Sequence, residues 1–379
     1  MANPGFPDGV LQQAVDAVAA HGAVSTAARF LGIPEATFRG RYTAARMRNI
    51  EPQVQRLIGA NAAPPEGYRL KGTSTYFDAD GLPRGQWVKT TQDSQAIEAA
   101  QKAAFKALCE TLKPRPKVAA PKVSDKDLAT LYTLTDCHIG MRAWAKETGE
   151  NWDLEIAEDC LVNTAAQMIQ GARPSAVGIL NQLGDFLHFD GLQPLTPTSQ
   201  HVLDADSRYQ KVVEVAVRIL RRVIDLMLEK HQSVHIKMME GNHDPAGSIW
   251  LRVMFDILYS KNPRVTVDKS PNPYTIFQHG KTLLGFHHGH LSKMDKLPAI
   301  FAAQFRQEWG SSTHMYIHTG HLHHVHENEY PGANVIQHPT LAAKDAYAAR
   351  YGFLSKRQLT AMTYDKERGE IGRASWVPA

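Results

Sequence analysis

The chain has 379 residues, of which 43% are hydrophobic and 21% are charged, a composition typical of soluble globular proteins with two or three domains. No apolar run approaches the roughly 18 residues that span a bilayer, and the N-terminus lacks the pattern of a signal peptide, so we expect no membrane partner. Three cysteines form no disulfide framework and are too few for a thiolate metal site. We therefore expect a cytoplasmic protein whose metals are held by His, Asp, Asn or Glu.

Positive charge and histidine are distributed unevenly along the chain. Residues 1–125 carry 16 Lys and Arg against 11 Asp and Glu, whereas the remaining residues carry 26 against 27. Histidine follows the opposite trend, because His21 is alone in the first third and the other 17 of the 18 follow residue 135. This separation predicts that polyanion binding and chemistry belong to different domains.

Residues 1–52 are predicted to form three short helices, the third of them basic. The segments GVLQQAVDAVAAHG, AVSTAARFLG and IPEATFRGRYTAARMRN combine helical apolar spacing with Gly or Pro at their boundaries. Two helices, a tight turn with Gly and an Arg-bearing third helix resemble the DNA-binding helix-turn-helix segments of bacterial and phage proteins. A plain three-helix bundle with a solvated basic face is the alternative. The expected DNA contacts are Arg39, Arg41, Arg46 and Arg48.

Residues 64–112 are predicted to form a small module, a β-hairpin followed by a helix. Two β-rich runs flank the turn signal DADG, and basic and aromatic residues alternate along them. A surface that grips nucleic acid and a small β module that packs on its neighbour both remain open. Residues 113–126 are rich in Pro, Lys and Ala and are predicted to be a linker before a catalytic domain at 127–379.

From residue 127 onward, strand patterns and helix patterns alternate. Helices are predicted near 155–170, 207–230 and 248–259, and this alternation predicts an α/β fold with central sheets. In residues 334–364, Tyr347, Tyr351, Lys356 and Arg357 could line a substrate groove, but we favour ordinary residues at the edge of a sheet. The predicted strands are LATLYTLTD, AVGILNQLGD, SVHIKMMEGNHD, YTIFQHG, KTLLGFHHGH, HMYIHTGHLHH and LTAMTY.

Five of these strands end in residue types that bind metals, each beside a glycine. Functional sites of α/β folds collect at the C-terminal ends of strands, because rigid strands aim short loops at a common point. The five groups are Asp136 and His138; Asp185 and His188; Asn242, His243 and Asp244; His287, His288 and His290; and His321, His323 and His324.

The stretch GHLHHVHE, residues 320–327, places four histidines in eight positions. If the chain stays extended, alternate residues point the same way, so Asp136 and His138 can share one ligand and His321 and His323 repeat that geometry. The i, i+2 pair is therefore the ligand-like feature. His324 and His326 have the opposite parity and are expected nearer the surface or behind the ligands.

The ordered motifs D-x-H, G-D, G-N-H-D, H-G and G-H-x-H, over about residues 128–345, resemble those of the calcineurin-like metallophosphoesterases. The resemblance implies a two-sheet sandwich flanked by helices, with two divalent cations bridged by Asp185. It implies that His243 stands beside the phosphate as leaving-group acid or transition-state stabiliser. The first metal would be held by Asp136, His138, Asp185 and His323, and the second by Asp185, Asn242, His288 and His321.

The spacing G-D-x-x-H is similar to that of the nuclease branch, the double-strand-break repair exonucleases. There the histidine, here His188, also faces the scissile phosphate. A surface role for His188 is the alternative. The residue that orients His243 stays open between His188, Asp190 and Asp244, and we expect His243, His188 and Asp244 to be catalytic.

Two cations about 3.5–4 Å apart neutralise phosphate oxygens and activate water, and an imidazole suits proton delivery to a departing alkoxide. Manganese is expected from the resemblance, with zinc, iron, nickel or magnesium as alternatives. The function expected is a DNA nuclease or exonuclease, of a phage or prophage kind. A phosphatase or small-molecule or cyclic-nucleotide phosphodiesterase is the alternative, and a DNA-binding regulator with a vestigial catalytic domain is a third hypothesis.

The expected partner is DNA, and a homodimer is compatible with the nuclease resemblance. The chain has no G-x-x-x-x-G-K-[ST] motif. If cutting depends on ATP, a separate ATPase partner must supply it.

Overall fold

The computed structural model describes residues 5–52, 68–77, 83–92 and 118–378. The chain divides into two compact units, Met1–Phe105 and Lys106–Ala379. The predicted hairpin turn, the helix predicted after residue 92 and the first part of the predicted linker lie outside the described residues. None of the described helices is long and apolar enough to cross a membrane.

The first unit contains the three predicted helices, α1 (Asp8–His21), α2 (Val24–Phe30) and α3 (Glu35–Met47). They enclose a small apolar core in which Leu11, Phe38 and Ala45 are fully buried. Their connections turn at glycines with positive φ, Gly22 and Gly32. The unit also contains an antiparallel hairpin of β1 (Tyr68–Phe77) and β2 (Pro83–Gln92).

The second unit is a two-layer β structure with helices outside. Its elements in chain order are β3 (Asp125–Leu134), α4 (Ala145–Thr148), α5 (Leu154–Gly171), β4 (Ser175–Gln182), α6 (Tyr209–Lys230), β5 (Ser233–Met238), α7 (Pro245–Tyr259), β6 (Val265–Val267), β7 (Thr275–His279), β8 (Thr282–Phe286), α8 (Leu297–Gln304), α9 (Arg306–Ser311), β9 (His314–Thr319), β10 (His326–Tyr330), β11 (Ala333–Gln337), α10 (Ala346–Tyr351), β12 (Leu359–Asp365) and β13 (Gly369–Trp376).

Two sheets form the layers. One has six strands in the order β13-β12-β3-β4-β5-β6, and the other has five in the order β10-β11-β9-β8-β7. Strands β3 to β6 run parallel, as do β8, β9 and β11, whereas β12 runs antiparallel to β3. Parallel pairing brings the C-terminal ends of β3, β4 and β5 to one edge of the first sheet, and those of β8 and β9 to one edge of the second.

The core lies between the two sheets. Leu131 and Ile179 of the six-stranded sheet pack in one cluster with Leu284, Phe286 and Ile336 of the five-stranded sheet. Helix α6 contacts β4 and β5, and α5 contacts β12, so these helices cover the outer face of the larger sheet. The apolar side of α8 packs against residues of β9 and β11 on the outside of the smaller one. The predicted two-sheet α/β fold with flanking helices is confirmed.

Some elements differ from the sequence prediction. Strand β10, HENEY, was missed because it is an exposed edge strand whose pairing with β11 depends on backbone hydrogen bonds and not on apolar alternation. The predicted linker overlaps β3, which begins at Asp125. The expectation that Tyr347 and Tyr351 lie at the edge of a sheet is wrong, because both belong to helix α10, capped by Asp345.

Candidate metal centre

Loops that follow five strands meet at one place. Asp136 follows β3, Asp185 follows β4 and Asn242 follows β5, all in the six-stranded sheet; His288 follows β8 and His321 follows β9 in the other sheet. The site therefore lies where the C-terminal ends of parallel strands from both sheets converge. Each side chain is carried on a short loop held by a buried strand, which limits its freedom to move.

The first cluster consists of Asp136, His138 and His323, whose potential ligand atoms all lie within 4.8 Å of one another. The Nε2 atom of His323 lies 3.2 Å from Asp136 Oδ1 and 3.2 Å from His138 Nε2. Asp136 and His138 are buried. Three ligand-type atoms thus point at one small volume from two distant parts of the chain.

The second cluster consists of Asp185, His288 and His321. The Nδ1–H of His288 donates to the Leu183 carbonyl at 2.8 Å, which turns Nε2 toward Asp185 Oδ2 at 3.2 Å. Such a bond fixes the tautomer and ring orientation of a ligand histidine. The two clusters are neighbours, because His288 Nε2 also lies 3.9 Å from Asp136 Oδ1.

Asn242 supplies an independent sign that the site fits cations. Its side-chain Oδ1 is buried and has no hydrogen-bond partner among the described residues. A buried acceptor of this kind is costly unless something binds it. The donor set consists of carboxylate oxygens, an amide oxygen and imidazole nitrogens, and it contains no thiolate. Such a set suits manganese, iron, zinc or nickel. The clusters can therefore bind metal, and their chemistry leaves several metals acceptable.

The backbone at the clusters is not extended, which corrects the reasoning behind the i, i+2 pairs. Asp136 and His138 have φ of 51° and 44°, Asp185 has 47°, and His321 and His323 have 71° and 61°. Non-glycine residues rarely adopt this left-handed region, and it is most often found where function requires it. As a result Asp136 and His138 share a cluster, but His321 and His323 belong to different ones.

Glycines in the motifs make room for the ligands. A Cβ on Gly241 would lie 2.0 Å from Asp185 Oδ1 and 2.2 Å from the Asp185 backbone nitrogen. A Cβ on Gly320 would lie 2.5 Å from Asp136 Oδ2. Any side chain larger than hydrogen would thus displace the carboxylates, because atoms this close overlap.

The electrostatics of the site keep its carboxylates ionised. Burial opposes ionisation of Asp136, but His323 and His288 lower its pKa below the usual value. Burial also opposes ionisation of Asp185, and His288 lowers the pKa of that carboxyl in the same way. Burial alone would lower the pKa of His288, but Asp185 and Asp136 raise it to about 10. Burial lowers the pKa of His138, which favours the neutral ring that a metal requires.

His243 is held by a group that the sequence did not suggest. Its Nδ1 lies 2.8 Å from the backbone carbonyl of His188, so Nδ1–H donates and Nε2 is left for the site. Its backbone N–H donates to Asp185 Oδ1 at 2.8 Å. Of the three residues left open for this role, His188 is the one that contacts the ring, through its backbone carbonyl and not through its side chain.

His188 is buried behind the first cluster. Its Nδ1 lies 3.3 Å from Nδ1 of His138, and its ring is 2% exposed, so it is not a surface residue. His138, His188 and His243 also bring their ligand-type atoms within 4.8 Å of one another. His188 therefore lies next to His138, a predicted metal ligand, and next to His243, the predicted acid.

The two other acidic residues of this region hold loops together. The buried Asp244 carboxylate accepts hydrogen bonds from backbone N–H groups of Asp185, Phe186, Leu187 and Gly241 at 2.9–3.2 Å. Asp190 accepts from the N–H groups of Ala246 and Gly247, at the first turn of α7. Burial raises the pKa of Asp190 to about 6. These contacts fasten the loop after β4 to the loop after β5.

Two threonines near the site were missed. Thr135 Oγ1 donates to Asp136 Oδ2 at 2.5 Å, and Thr340 Oγ1 donates to the Asp136 carbonyl at 2.6 Å. Thr135 stands beside Asp136 in the sequence, so its proximity to the motif was a usable signal. Thr340 had none, because it is 204 residues away.

The predicted DNA-binding arginines are far from equivalent. Arg39, Arg46 and Arg48 are exposed on α3, whereas Arg41 is half-buried. Arg39 pairs with Glu35 at 2.6 Å, one turn earlier. Arg48 pairs with Asp8 at 2.9 Å and also donates to the Phe6 carbonyl, so it fastens the segment before α1. His324 and His326 are exposed, which is one of the two placements expected for them.

No family model and no curated protein sequence matches this chain. Solved structures that resemble it include a dimetal phosphatase from Danio rerio, with a TM-score of 0.37 and 9% identity over 67% of this chain and 100% of that chain. An archaeal phosphodiesterase has a TM-score of 0.32 and 12% identity over 65% and 99%. A predicted phosphoesterase from Streptococcus pneumoniae has a TM-score of 0.29 and 9% identity over 66% and 97%.

Proposed function

We propose that this chain is a metal-dependent phosphodiesterase that hydrolyses DNA. The observation that carries the proposal is the pair of adjacent Asp/His clusters, together with Asn242 on the loop after β5, whose buried Oδ1 has no hydrogen-bond partner in the part of the chain that the structure describes. Two divalent cations bound there would neutralise the phosphate oxygens and activate water for attack.

Seven side chains would hold the cations. Asp185 is the candidate bridge, because its two oxygens face different partners, the His243 N–H and His288. The left-handed backbone at five of these positions keeps the ligands aimed inward before any cation arrives. The full set is Asp136, His138, Asp185, Asn242, His288, His321 and His323.

His243 would deliver a proton to the departing oxygen. Because its Nδ1–H is committed to the His188 carbonyl, the ring presents Nε2, and a proton carried there can pass to the leaving group. His188 would position the ring of His138 through the contact between their Nδ1 atoms. Asp244 would act indirectly, because its four backbone hydrogen bonds keep the loops of Asp185 and Asn242 in register.

Support for DNA as the substrate comes from the first unit. Exposed Arg39 and Arg46, on a helix packed against two others, are suited to phosphate contacts, which supply salt-dependent affinity. A phosphatase or small-molecule phosphodiesterase would use the same metal centre and remains the second candidate. The first unit distinguishes the two candidate functions, because only an enzyme that acts on DNA needs its basic residues.

The deciding experiment strips the protein with a chelator, restores manganese, and compares end-labelled linear DNA with a chromogenic phosphodiester. We expect both to be cleaved, and expect His243→Ala and Asp185→Ala to abolish both activities. In a salt titration of DNA binding, Arg46→Ala should weaken binding and reduce its salt dependence by about one phosphate contact. Cleavage of the small diester with DNA left intact would overturn the DNA assignment and favour the second candidate.

A further inference from the structure

Residues 342–356 form a loop that starts beside the metal centre. Just before it, Thr340 donates to the backbone carbonyl of Asp136. Just after it, Arg357 Nε donates to the Leu341 carbonyl at 2.8 Å, and the Arg357 guanidinium lies over the Trp152 ring. The two ends of the loop are thus joined. Compact loops with closed ends are frequently functional.

Three aromatic rings on this loop stand in solvent. Tyr347, Tyr351 and Phe353 are 58%, 62% and 57% exposed, yet their ring centroids lie 4.6–6.3 Å apart. We call these three rings the aromatic platform. Helix α10, which carries two of them, buries no side chain of its own. A contiguous exposed apolar patch of this kind usually marks a binding site.

The platform is held in place without help from the core. The Asp345 carboxylate accepts from the Ala348 N–H at 2.7 Å and caps the start of α10. At its end Gly352 has φ of 72°, and the Phe353 N–H donates to the Ala348 carbonyl at 2.9 Å. Capping at both ends fixes a short helix that has little packing to stabilise it. The rings are therefore positioned before a ligand binds.

The loop that carries the platform starts at the metal centre and holds more basic than acidic side chains. The chain entering this loop contacts the first cluster, because the Thr340 N–H lies 3.4 Å from the His323 carbonyl. Arg350 and Lys356 are exposed on the same loop. Helix α4, which contacts α10, adds the exposed Trp144 with the Lys146 ammonium 5.4 Å from its ring. The acidic side chains here are Glu147 and Glu150, the latter paired with Arg357, besides Asp345.

We propose that the aromatic platform stacks unpaired nucleobases of the strand whose phosphodiester lies at the metal centre, so that the enzyme prefers single-stranded DNA or frayed ends. This rests on the proposed DNA hydrolysis. Exposed ring faces beside basic side chains are the combination by which proteins bind single strands, because every base offers a stacking face and every linkage a negative charge. A base within a duplex offers neither face, since both are covered by its neighbours.

The first test compares single-stranded oligothymidylate, blunt duplex and a chromogenic phosphodiester as substrates of the manganese-loaded protein. Tyr351→Ala and Phe353→Ala should each lower the ratio of single-strand cutting to small-diester hydrolysis roughly tenfold. Tyr351→Phe keeps the ring and should keep the ratio. Ile257→Ala removes a similarly exposed apolar side chain at the far end of α7 and should leave both activities unchanged. An unchanged ratio in Tyr351→Ala, or an equal loss in Tyr351→Phe, overturns the platform.

The second test separates the platform from the hydrolysis on which it rests. In chelator, where no cutting occurs, fluorescence anisotropy measures binding of labelled oligothymidylate and of duplex to the parent and the ring variants. We expect the ring variants to lose roughly tenfold in single-strand affinity and little in duplex affinity. If the parent cuts no DNA but this difference is found, the nuclease assignment fails and the platform stands. Equal single-strand affinities overturn the platform, whatever the parent cuts; a protein partner would then be the occupant to seek.

Discussion

Buried histidines occur in two regions of the second unit, the core of the fold and the candidate metal centre. His231 and His318 in the core and His288 at the centre are all 0% exposed. In the core each ring nitrogen has a partner: His231 is bonded to Tyr132 and Ser175, both at 2.8 Å. At the centre, His288 bonds only through Nδ1, and its Nε2 faces carboxylates.

This comparison shows that residue type and burial do not distinguish a ligand from a structural histidine. The distinguishing feature is a nitrogen that is left without a hydrogen bond and points at other ligand atoms. His318 fails this test, because His338 and the Tyr364 hydroxyl occupy its two nitrogens. Asn242 meets the same criterion, because its buried Oδ1 has no hydrogen-bond partner among the described residues. The ring nitrogens of these two core histidines are satisfied, whereas His288 Nε2 at the candidate centre is available to a ligand.

The largest effect is expected for Asp185→Asn, which keeps the shape of the side chain but removes its charge. The Asp185 carboxylate would offset the mutual repulsion of the two cations. Without its charge we expect loss of bound manganese and a fall in phosphodiester hydrolysis of about a thousandfold or more. Metal analysis and a chromogenic assay would measure both. Asp256→Asn, at a surface pair with Lys269, is the matched control and should change neither. Full metal content in Asp185→Asn would contradict the assignment.

Gly241→Ala tests whether the site requires close approach of backbone to ligand. The added methyl would overlap the backbone and carboxylate of Asp185, so the loop must shift. We expect a loss of about 3 kcal/mol in the free energy of unfolding, together with loss of metal binding. Chemical denaturation in chelator would measure the first. Gly310→Ala in α9 has open space around its Cβ and should be neutral or slightly stabilising; equal behaviour of the two variants would refute the steric argument.

The buried core histidine His231 should make the stability of the protein depend on pH. Burial lowers the pKa of His231 to about 4, against about 6.5 in an unfolded chain. The unfolded state therefore binds the extra proton first, and stability present above pH 6.5 is lost as pH falls toward 4, by up to about 3 kcal/mol. Unfolding in chelator at a series of pH values would measure this loss. In His231→Gln the fall in the free energy of unfolding between pH 6.5 and 4 should be smaller by that amount. If the dependence of stability on pH were unchanged in this variant, other titrating groups would be responsible for the loss.

The smallest effect on folding is expected for Asn242→Ala. Its Oδ1 has no partner among the described residues, so removing it should change the stability of the metal-free protein by less than about 0.5 kcal/mol. Manganese affinity should fall roughly 10- to 100-fold, because one ligand is gone. Calorimetric titration with manganese, beside denaturation in chelator, separates the two quantities. A large loss of metal-free stability would place Asn242 with the core residues.

Much of the fold was readable from the sequence, because most strands carry continuous apolar runs. Strands β3, β4 and β5 and helix α6 were all predicted near their observed bounds. The edge strand β10 and helix α10 were not, because neither buries apolar residues in a periodic pattern. Elements that the core does not hold leave no periodic signal.

By itself the sequence determined which residues gather at the centre, since each motif follows a strand and parallel strands end at common edges. Only the tertiary structure decided how they are divided. His321 and His323 join different clusters because a left-handed backbone turns them apart, and their carboxylate partners lie more than a hundred residues earlier in the chain. Likewise the His188 carbonyl that orients His243, and the exposure of the aromatic platform, depend on which loops meet in space. No local pattern encodes such contacts, because they join residues that are distant in the chain and meet only in the folded protein.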